Sequence, residues 1–412
     1  MVGRYGRAAV VAAVRDVLAE RRRRRVPEAG IADDVEARLG PSLRRVINAT
    51  GVVLHTNLGR APLSDAAIRA ATDVAAYSTL EWDASTGERG SRQSHLQEVL
   101  RVLTGCEASC VAATNAGAVL LALVALASGR EVIVSRGQLV EIGGGFRIPE
   151  ILEASGCRLV EVGTTNRTRI ADYERAITPD TAAILRVHPS NFRVVGFTEE
   201  APLGDLVALA HSRGLVMIDD LGSGAIDEDP VFRDEPDVRR SVAAGCDVVA
   251  FSGDKLVGGP QAGVLVGHRE AVARCAAHPL MRALRPDKTT IAMLDATFRA
   301  HLDPAMRRTI PAIAALDATP AELRRRADIL AGAIGGEVVA TEGRVGGGSL
   351  PGVVLPSFAV AVPSSGGAEA AAARLRSLDP PVVGRVTGGR LLLDVIALRP
   401  GDLEHLCEVL AP

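Results

Sequence analysis

Seven short apolar runs between residues 109 and 266 constrain the fold more than any other feature of the sequence. Each run has the length of a strand that is buried on both faces, and turn residues or helix-like segments separate consecutive runs. Parallel strands need such crossover segments, because a tight turn cannot join them. We therefore predict an α/β fold with a mostly parallel, seven-stranded sheet that helices cover on both faces.

The apolar pattern also places the individual elements of this alternating region. We predict strands at Ser109–Ala113, Glu131–Ser135, Arg158–Val162, Ala182–Val187, Leu215–Asp219, Val248–Phe251 and Gly263–Val266. We predict helices at Ala118–Ala127, Arg147–Ala154, Leu203–Arg213 and Val238–Ala244.

The pattern changes on either side of this region. Residues 2–25 have helical periodicity, and Pro27–Gly40 is a polar connector with room for a short helix. After about residue 290, a helical stretch leads to strand-like regions at Gly352–Val362 and Val382–Val395, which flank the helix-like segment Ala368–Ser377. Because 412 residues exceed what one core usually holds, we predict several domains. These are a basic helical N-terminal domain over 1–45, a large catalytic domain over 46–289 and a small α+β domain over 290–412.

The first 45 residues carry an excess of positive charge, although the formal net charge of the chain is −2. They contain 11 Arg against 6 Asp and Glu, a balance of about +5, so the other residues carry about −7. Five consecutive arginines, Arg21–Arg25, end the predicted N-terminal helix. Such a segment indicates an anionic partner, but a solvated helix end would have the same composition. Charge alone leaves both interpretations open.

Composition excludes several classes of protein. The chain is 47% hydrophobic and 23% charged, as globular proteins are. No apolar run approaches the length of a membrane-spanning helix, and the N-terminus has no signal-peptide pattern. The six cysteines are scattered, and Cys106 and Cys110 lack the second pair that a zinc site would need. We expect a cytoplasmic protein without a membrane partner.

Lysine is nearly absent from the chain. Of the 47 basic residues only Lys255 and Lys288 are lysines, and all others are arginines. An amine can lose its proton and act as a nucleophile or a base, which a guanidinium cannot do. Any chemistry that needs a primary amine must therefore use one of these two residues.

Lys255 lies in the more informative surroundings. A buried apolar run ends at Ser252, Lys255 follows three positions later, and the glycine-rich stretch Gly258–Gly263 comes next. This arrangement suits a lysine that forms a Schiff base with pyridoxal 5'-phosphate, because Ser252 can hold the phosphate while Lys255 reaches the aldehyde carbon. The alternative is an exposed loop lysine.

Two further motifs precede Lys255 at the ends of predicted strands. The first is the stretch Thr114, Asn115, Ala116 and Gly117, whose amides at a helix N-terminus can bind a phosphate. The second is the pair Asp219 and Asp220, either of which could face a pyridinium nitrogen. The order of phosphate loop, Asp and Lys is that of a fold-type-I pyridoxal phosphate enzyme, similar to aspartate aminotransferase.

Several longer stretches closely resemble bacterial selenocysteine synthases, the L-seryl-tRNA(Sec) selenium transferases. The matching stretches are Ile47–Leu63, Val134–Pro149, Glu161–Thr168, Phe251–Gly263 and His278–Lys288. The resemblance covers nearly the whole chain and is highly specific.

The resemblance implies a pyridoxal phosphate enzyme that converts L-seryl-tRNA(Sec) to L-selenocysteinyl-tRNA(Sec). In this family the seryl amine displaces the lysine, here Lys255, to form an external aldimine. Elimination of the hydroxyl leaves a dehydroalanyl-tRNA, to which selenium from selenophosphate adds. By the same matching, Asp220 rather than Asp219 is the pyridinium partner.

The resemblance also implies an anion site and an assembly. The family holds its selenium donor with arginines that match Arg60, Arg282 and Arg285, and guanidinium forks suit tetrahedral oxyanions. A small N-terminal domain contacts the tRNA, in agreement with the basic residues 1–45, and we expect a shortened form of it here. The family forms a homo-oligomer, a ring of dimers that makes a decamer.

Two other functions remain as alternatives. One is a pyridoxal phosphate lyase of the same superfamily that acts on a small amino acid or amino sugar acid without tRNA. The other is a non-catalytic tRNA-binding protein, against which the presence of Lys255 and Asp220 argues. His55, His95 and His188 lie in family-like stretches, where each is either a residue that stacks on the cofactor or steers a proton, or a buried structural histidine.

Overall fold

The computed structural model describes residues 1–25, 27, 30–142, 145–226, 230–233, 235–364 and 366–411, without the side chains of Phe146 and Pro230. The chain divides into two compact units. One consists of Met1–Ile47 with Ala373–Val383, and the other of Asn48–Ala372 with Gly384–Pro412. The division of the chain into three domains at residues 45 and 289 stays a prediction.

A seven-stranded sheet forms the centre of the larger unit. Its strands are β1 (Ala108–Ala112), β2 (Glu131–Ser135), β3 (Arg158–Val162), β4 (Thr181–Val187), β5 (Val216–Gly222), β6 (Val248–Ser252) and β7 (Gly263–Gly267). Their order across the sheet is β1-β7-β6-β5-β4-β2-β3. All neighbours are parallel except β7, which runs antiparallel to both β6 and β1. The predicted mostly parallel sheet is confirmed.

Apolar side chains cover both faces of this sheet. Along β6, Val249 and Phe251 belong to one buried cluster, whereas Val248 and Ala250 belong to the other, as the two-residue repeat of a strand requires. The helices of this region are Asp65–Asp73, Ser94–Thr104, Asn115–Ala127, Ile148–Ala154, Ile170–Ala176, Leu203–Ser212, Val238–Ala243, Arg269–Ala277, Leu280–Leu284 and Lys288–Ala300. The sheet is therefore buried on both sides, and ligands can approach it only at the strand ends.

The C-terminal part contains a second, antiparallel sheet. Its strands are β8 (Glu337–Gly346), β9 (Ser349–Ala361), β10 (Arg385–Thr387) and β11 (Arg390–Asp394), in the order β8-β9-β11-β10. The helices of this part are Pro304–Arg307, Pro311–Leu316, Pro320–Ile334, Ala368–Arg376 and Pro400–Val409. The predicted strand-like region Val382–Val395 is thus divided into several short strands.

The N-terminal residues form a one-turn helix followed by a long helix, rather than a single helix. The predicted helix over residues 2–25 is wrong in this respect, because Gly6, with a φ of 80°, separates Val2–Tyr5 from Arg7–Arg24. A third helix, Ile31–Leu39, occupies the predicted polar connector, and a small apolar cluster joins it to the long helix at Ala13, Val17 and Val35.

The remaining elements are short. Two-residue strands lie at Ile47–Asn48, Trp82–Asp83, Glu88–Arg89, Glu141–Ile142, Phe146–Arg147 and Val382–Val383, and single 3-10 turns at Thr56–Leu58, Arg136–Gln138 and Pro230–Phe232. Among the described residues, no helix combines the length and the apolar character that crossing a bilayer would require.

Candidate active site

Asn115, Asp220 and Lys255 converge at the carboxyl ends of three strands. Asn115 opens the helix after β1, Asp220 lies near the end of β5, and Lys255 follows β6 by three residues. The Asn115 side-chain amide donates a hydrogen bond of 2.8 Å to Asp220 Oδ1. A Cβ atom added at Gly222 would lie 3.7 Å from Lys255 Nζ, and one at Gly348 would lie 3.9 Å from it. These glycines, both with a positive φ, leave open space beside the amine.

Burial makes this amine reactive. Lys255 is only 5% exposed. Its pKa lies below the usual value because burial penalises the ammonium form, and the charge of Arg60 lowers the pKa further. The carboxylates of Asp220, Asp254 and Glu235 act in the opposite direction. A buried lysine with a lowered pKa is available as a nucleophile or a base near neutral pH.

The carboxyl group of Asp220 is perturbed as well. Burial raises its pKa to about 6, against the opposing effects of the Asn115 hydrogen bond and of the charge of Lys255. A nearby cationic partner would favour its ionised form, so the group is suited to face a protonated ring nitrogen.

The neighbouring Asp219 lies on the opposite face of β5. Both of its oxygens accept from Arg186 Nη1, at 3.0 and 3.2 Å. Arg186 lies beside it in the sheet, where β4 pairs with β5. Of the two candidate carboxylates, Asp219 and Asp220, only Asp220 accepts a hydrogen bond from Asn115 in the part of the chain that the structure describes. Its role toward a cofactor stays a prediction.

Thr114 and Gly117 form the turn that was predicted to hold a phosphate. Thr114 is the N-cap of the helix Asn115–Ala127, and its hydroxyl accepts from the Gly117 N–H at 3.0 Å. A Cβ atom at Gly263 would collide with the Thr114 carbonyl oxygen, so glycine is needed where β7 passes this turn. Ser252, at the end of β6, is buried close to the same edge. A helix N-terminus at this edge is a suitable place for an anion.

Several buried polar atoms around these residues lack partners. Asn115 Oδ1, His188 Nε2, Ser190 Oγ and Ser223 Oγ have no hydrogen-bond partner within the described part of the chain. Leaving such atoms unpaired is costly, and native structures pair nearly all of them. These donors and acceptors are therefore available to a polar ligand, and pyridoxal phosphate is one that fits them.

Arg60 lies directly beside the lysine loop. Its Nη1 is 2.6 Å from Asp254 Oδ2, and the Ala61 N–H donates to the Asp254 carbonyl at 3.3 Å. Arg60 has a φ of 62°, which is unusual for a residue other than glycine. Its Nε is buried and has no partner among the described residues. One side of this guanidinium thus remains available to an anion.

Arg285 belongs to a second group of arginines, gathered around Glu81, and Arg282 lies close enough to Arg285 for their charges to interact. Arg285 Nη1 lies 3.5 Å from Glu81 Oε1. Arg92 donates to the same oxygen at 2.7 and 2.9 Å, and Arg89 lies 3.5 Å from the second oxygen. Partial desolvation and the charges of Arg92 and Arg282 lower the pKa of Arg285. One carboxylate does not neutralise the three guanidinium groups around it, so this cluster is suited to an anion.

The segment that carries Arg282 and Arg285 is hydrogen-bonded to the strand end before the phosphate loop. The carbonyl of Leu284, next to Arg285, accepts from the Ala113 N–H at 2.7 Å. Arg282 itself is exposed. The structure thus links the segment of Arg285 to the phosphate loop and Arg60 to the lysine loop. Binding of one anion by all three arginines stays a prediction.

Sequence reasoning missed two acidic residues of the site. Asp254 pairs with Arg60, and its position directly before Lys255 could have indicated it. Glu235 is buried, accepts from the Leu350 N–H at 3.1 Å and lies 3.5 Å from His188 Nε2. Its surrounding loop has no recognisable motif, so only the fold brings it to the site.

The three histidines of the family-like stretches have different surroundings. His188 faces Glu235, and its backbone N–H donates to the Asp220 carbonyl at 2.9 Å. His55 Nδ1 is buried without a partner among the described atoms. His95 is exposed, with Nε2 3.0 Å from the Leu80 carbonyl. His188 is thus the histidine with a direct link to Asp220.

A cavity of about 410 Å³ opens beside His188 and Glu235. Its lining also includes Arg167, Arg193 and Arg233. Because Glu199 and Glu200 also line it, the cavity carries charges of both signs, and it adjoins the lysine site through His188 and Glu235.

Comparison with known proteins decides the family. The family model of SelA, L-seryl-tRNA selenium transferase, matches residues 46–399. The chain belongs to this family. It is 51% identical to the L-seryl-tRNA(Sec) selenium transferase of Moorella thermoacetica over 403 residues, covering 93% of this chain and 86% of that protein. The enzyme of the same name from Geobacter metallireducens is 45% identical over 437 residues, covering 100% and 95%.

A solved structure supports the fold of this SelA-family chain. D-glucosaminate-6-phosphate ammonia-lyase superposes with a TM-score of 0.62 and 22% identity, covering 91% of this chain and 96% of the other. At this identity the similarity concerns the fold alone. The predicted family and the predicted fold-type-I class are both confirmed.

Proposed function

We propose that this chain converts L-seryl-tRNA(Sec) to L-selenocysteinyl-tRNA(Sec), with pyridoxal 5'-phosphate as cofactor and selenophosphate as selenium donor. The names of its SelA-family relatives support the substrate. The observation that carries the chemistry is the buried Lys255 amine, placed beside Asp220 and Asn115 at the carboxyl edge of the sheet.

The proposed cofactor site uses residues that the geometry groups together. Lys255 would carry the covalent bond to the cofactor aldehyde, and Asp220, oriented by Asn115, would face the ring nitrogen. Thr114, Ala116, Gly117 and Ser252 would hold the phosphate. When bound, pyridoxal phosphate supplies an electron sink that allows the seryl α-proton and hydroxyl to leave.

The chain's own residues supply proton transfer and anion binding. Lys255 can accept the α-proton of the seryl group, since burial lowers its pKa and so favours the neutral amine. Asp254 orients Arg60 through their 2.6 Å ion pair. Arg60, Arg282 and Arg285 would bind the selenium donor, since the ion pairs around them leave positive charge unneutralised.

We also propose the tRNA contact and the assembly on the grounds of family membership and charge. The basic residues 1–45 would bind tRNA phosphates, and the chain would form a ring of dimers. A cytoplasmic location stays a prediction. The similarity to an ammonia-lyase at 22% identity concerns the fold, and no observation on the site favours a small-molecule lyase.

The two lysines allow a matched test of the proposed cofactor bond. Borohydride reduction of the purified protein, followed by peptide mapping, should place the pyridoxyl group on Lys255. Lys255→Arg should lose the reducible bond and the selenium transfer activity, because a guanidinium cannot replace the amine. Lys288→Arg is the control and should keep both. A pyridoxyl group on Lys288, or full activity of Lys255→Arg with seryl-tRNA, would exclude the proposed chemistry.

A further inference from the structure

Two histidines and one aspartate meet at the amino-terminal edge of the main sheet, away from Lys255. His211 lies near the end of the helix Leu203–Ser212, Asp247 directly precedes β6, and His268 directly follows β7. His211 Nε2 is 3.2 Å from Asp247 Oδ2, and His268 Nδ1 is 3.2 Å from Asp247 Oδ1. Each histidine faces a different oxygen of the Asp247 carboxylate, so three separate elements bring possible ligand atoms within 4.8 Å of one another.

These separations agree with the geometry of a metal centre. Bonds of about 2.0–2.2 Å to a tetrahedral ion place neighbouring ligand atoms roughly 3.3 Å apart. Each histidine nitrogen lies 3.2 Å from a carboxylate oxygen, and the three ligand atoms all lie within 4.8 Å of one another. A small closing movement of the imidazoles would therefore complete the site.

The surroundings of the cluster also fit an ion. The Met217 N–H donates to Asp247 Oδ2 at 2.7 Å and so fixes the direction of the carboxylate, as groups behind a metal ligand commonly do. The side chains of His211 and His268 are each 41% exposed, and that of Asp247 is 18% exposed. Water can therefore reach the ion and complete its coordination.

We propose that His211, Asp247 and His268 bind a divalent transition-metal ion of the Zn²⁺ type. Two imidazoles and a carboxylate are ligands that Zn²⁺ accepts, with water in the remaining position. The ion would join the helix Leu203–Ser212 to the start of β6 and the end of β7, which lie side by side because the two strands are antiparallel. The five residues of β6 place it roughly 17 Å from the lysine loop, so its role is to stabilise the fold rather than to take part in the reaction.

Zn²⁺ binding to the cofactor-loaded, untagged protein tests this proposal. After dialysis against a chelator, isothermal titration with Zn²⁺ should show one ion per chain, and Zn²⁺ should raise the Tm. His211→Ala and His268→Ala should each weaken the binding by about tenfold or more, the loss that even an outer-shell partner can cause. The cofactor absorbance should not change with Zn²⁺, because the two sites lie at opposite edges of the sheet.

His95→Ala is the matched control, since it removes an exposed histidine that lies outside the cluster. This variant should bind Zn²⁺ as the unaltered protein does. Circular dichroism should show that all three variants are folded. Absence of Zn²⁺ binding to the unaltered protein, or equal binding by His211→Ala and His268→Ala, would overturn the proposal.

Discussion

At the scale of residues, the two lysines of the chain differ in their surroundings. Lys288 is partly exposed and donates to the carbonyls of Ala75, at 2.7 Å, and Ala76. Lys255 is buried among ionisable groups that act on its pKa in opposing directions. Lys288 thus connects the start of a helix to a turn, whereas the burial of Lys255 lowers its pKa and favours the neutral amine.

The raised pKa of Asp220 predicts a specific pH dependence of stability. Its pKa lies at about 6 in the folded chain, against 3.8 for an unperturbed group, so between these values the folded state keeps a proton that the unfolded state releases. The free energy of unfolding should therefore fall as pH rises from about 4 to about 6, by at most about 3 kcal/mol. Asp220→Asn lacks this titration. Urea denaturation of the cofactor-free unaltered protein and of Asp220→Asn, repeated across this pH range, measures the difference. If the free energy of unfolding changes with pH equally in both proteins, the prediction is wrong.

Arg282 and Arg285 should affect selenium transfer more than cofactor binding. Each would contribute a charged hydrogen bond to the donor, worth roughly 1.5–3 kcal/mol, so replacement by Ala should slow transfer by about 10- to 150-fold. Arg101→Ala is the control, because Arg101 pairs with Glu98 on a helix surface. Single-turnover transfer and cofactor absorbance are the two measurements. An equal loss of cofactor in the Arg282 or Arg285 variant would make that residue a structural one.

At the scale of elements, two helix caps allow the phosphate loop to be tested. Thr114 caps the helix Asn115–Ala127, and Thr319 caps Pro320–Ile334 in the same way, with its hydroxyl accepting from a backbone N–H of the first turn. Replacing either by Ala should lower the free energy of unfolding by about 0.5–2 kcal/mol. Only Thr114→Ala should also weaken pyridoxal phosphate binding in an absorbance titration. If both variants bind the cofactor equally well, the Thr114 turn does not hold the phosphate.

The exposed arginines of the run Arg21–Arg25 allow a test of the proposed tRNA contact. Arg22, Arg23 and Arg25 are exposed and have no ion pair among the described residues, whereas Arg21 pairs with Asp34 and Arg24 with Glu20. Replacing Arg22, Arg23 and Arg25 by Gln should weaken seryl-tRNA binding, most strongly at low salt. The log–log slope against salt should become shallower by about 0.7–0.9 per lost phosphate contact.

The control for this run is the replacement of Arg324, Arg325 and Arg326 by Gln in the helix Pro320–Ile334. It removes the same charge from another place and should leave tRNA affinity unchanged. Filter binding at several salt concentrations measures both variants. An unchanged affinity and slope for the N-terminal variant would show that its arginines only solvate a helix end.

The elements that sequence predicted well are those with the strongest local signals. β2 and β3 have the predicted bounds, because each is an apolar run between clear turn residues. β8 was missed, since Glu337–Gly346 mixes charged residues and glycines, and only its pairing with β9 makes it a strand. The break at Gly6 was also missed, because helical periodicity continues across it.

The same contrast holds for the site. Lys255 and Thr114 could be predicted because each lies in a local motif, and both are found at the carboxyl edge of the sheet. The partners of the arginines were not predicted. Glu81 and Asp254 meet Arg285 and Arg60 across about 200 residues of sequence, and such pairs depend on the fold as a whole.

At the scale of the whole molecule, the sheet places different chemistry at its two edges. The carboxyl edge carries the cofactor residues, and the amino edge carries the histidine cluster of the proposed metal site. Helices cover both faces, so neither site can be reached through the sheet. A structural change on ligand binding at one edge is therefore expected to affect the other edge only through the strands that connect them.

The position of β7 has a consequence for how the chain is made. Within the described sheet, β1 pairs with β7 alone, and about 150 residues separate them in sequence. A ribosome that adds roughly 5–20 residues per second needs about 8–30 seconds to produce that stretch. During this time β1 and its phosphate loop lack the strand that pairs with them, and the helix Asn115–Ala127 lacks part of its apolar cover. The cofactor pocket thus cannot be complete before β7 emerges, and we expect the nascent chain to need protection from aggregation until then.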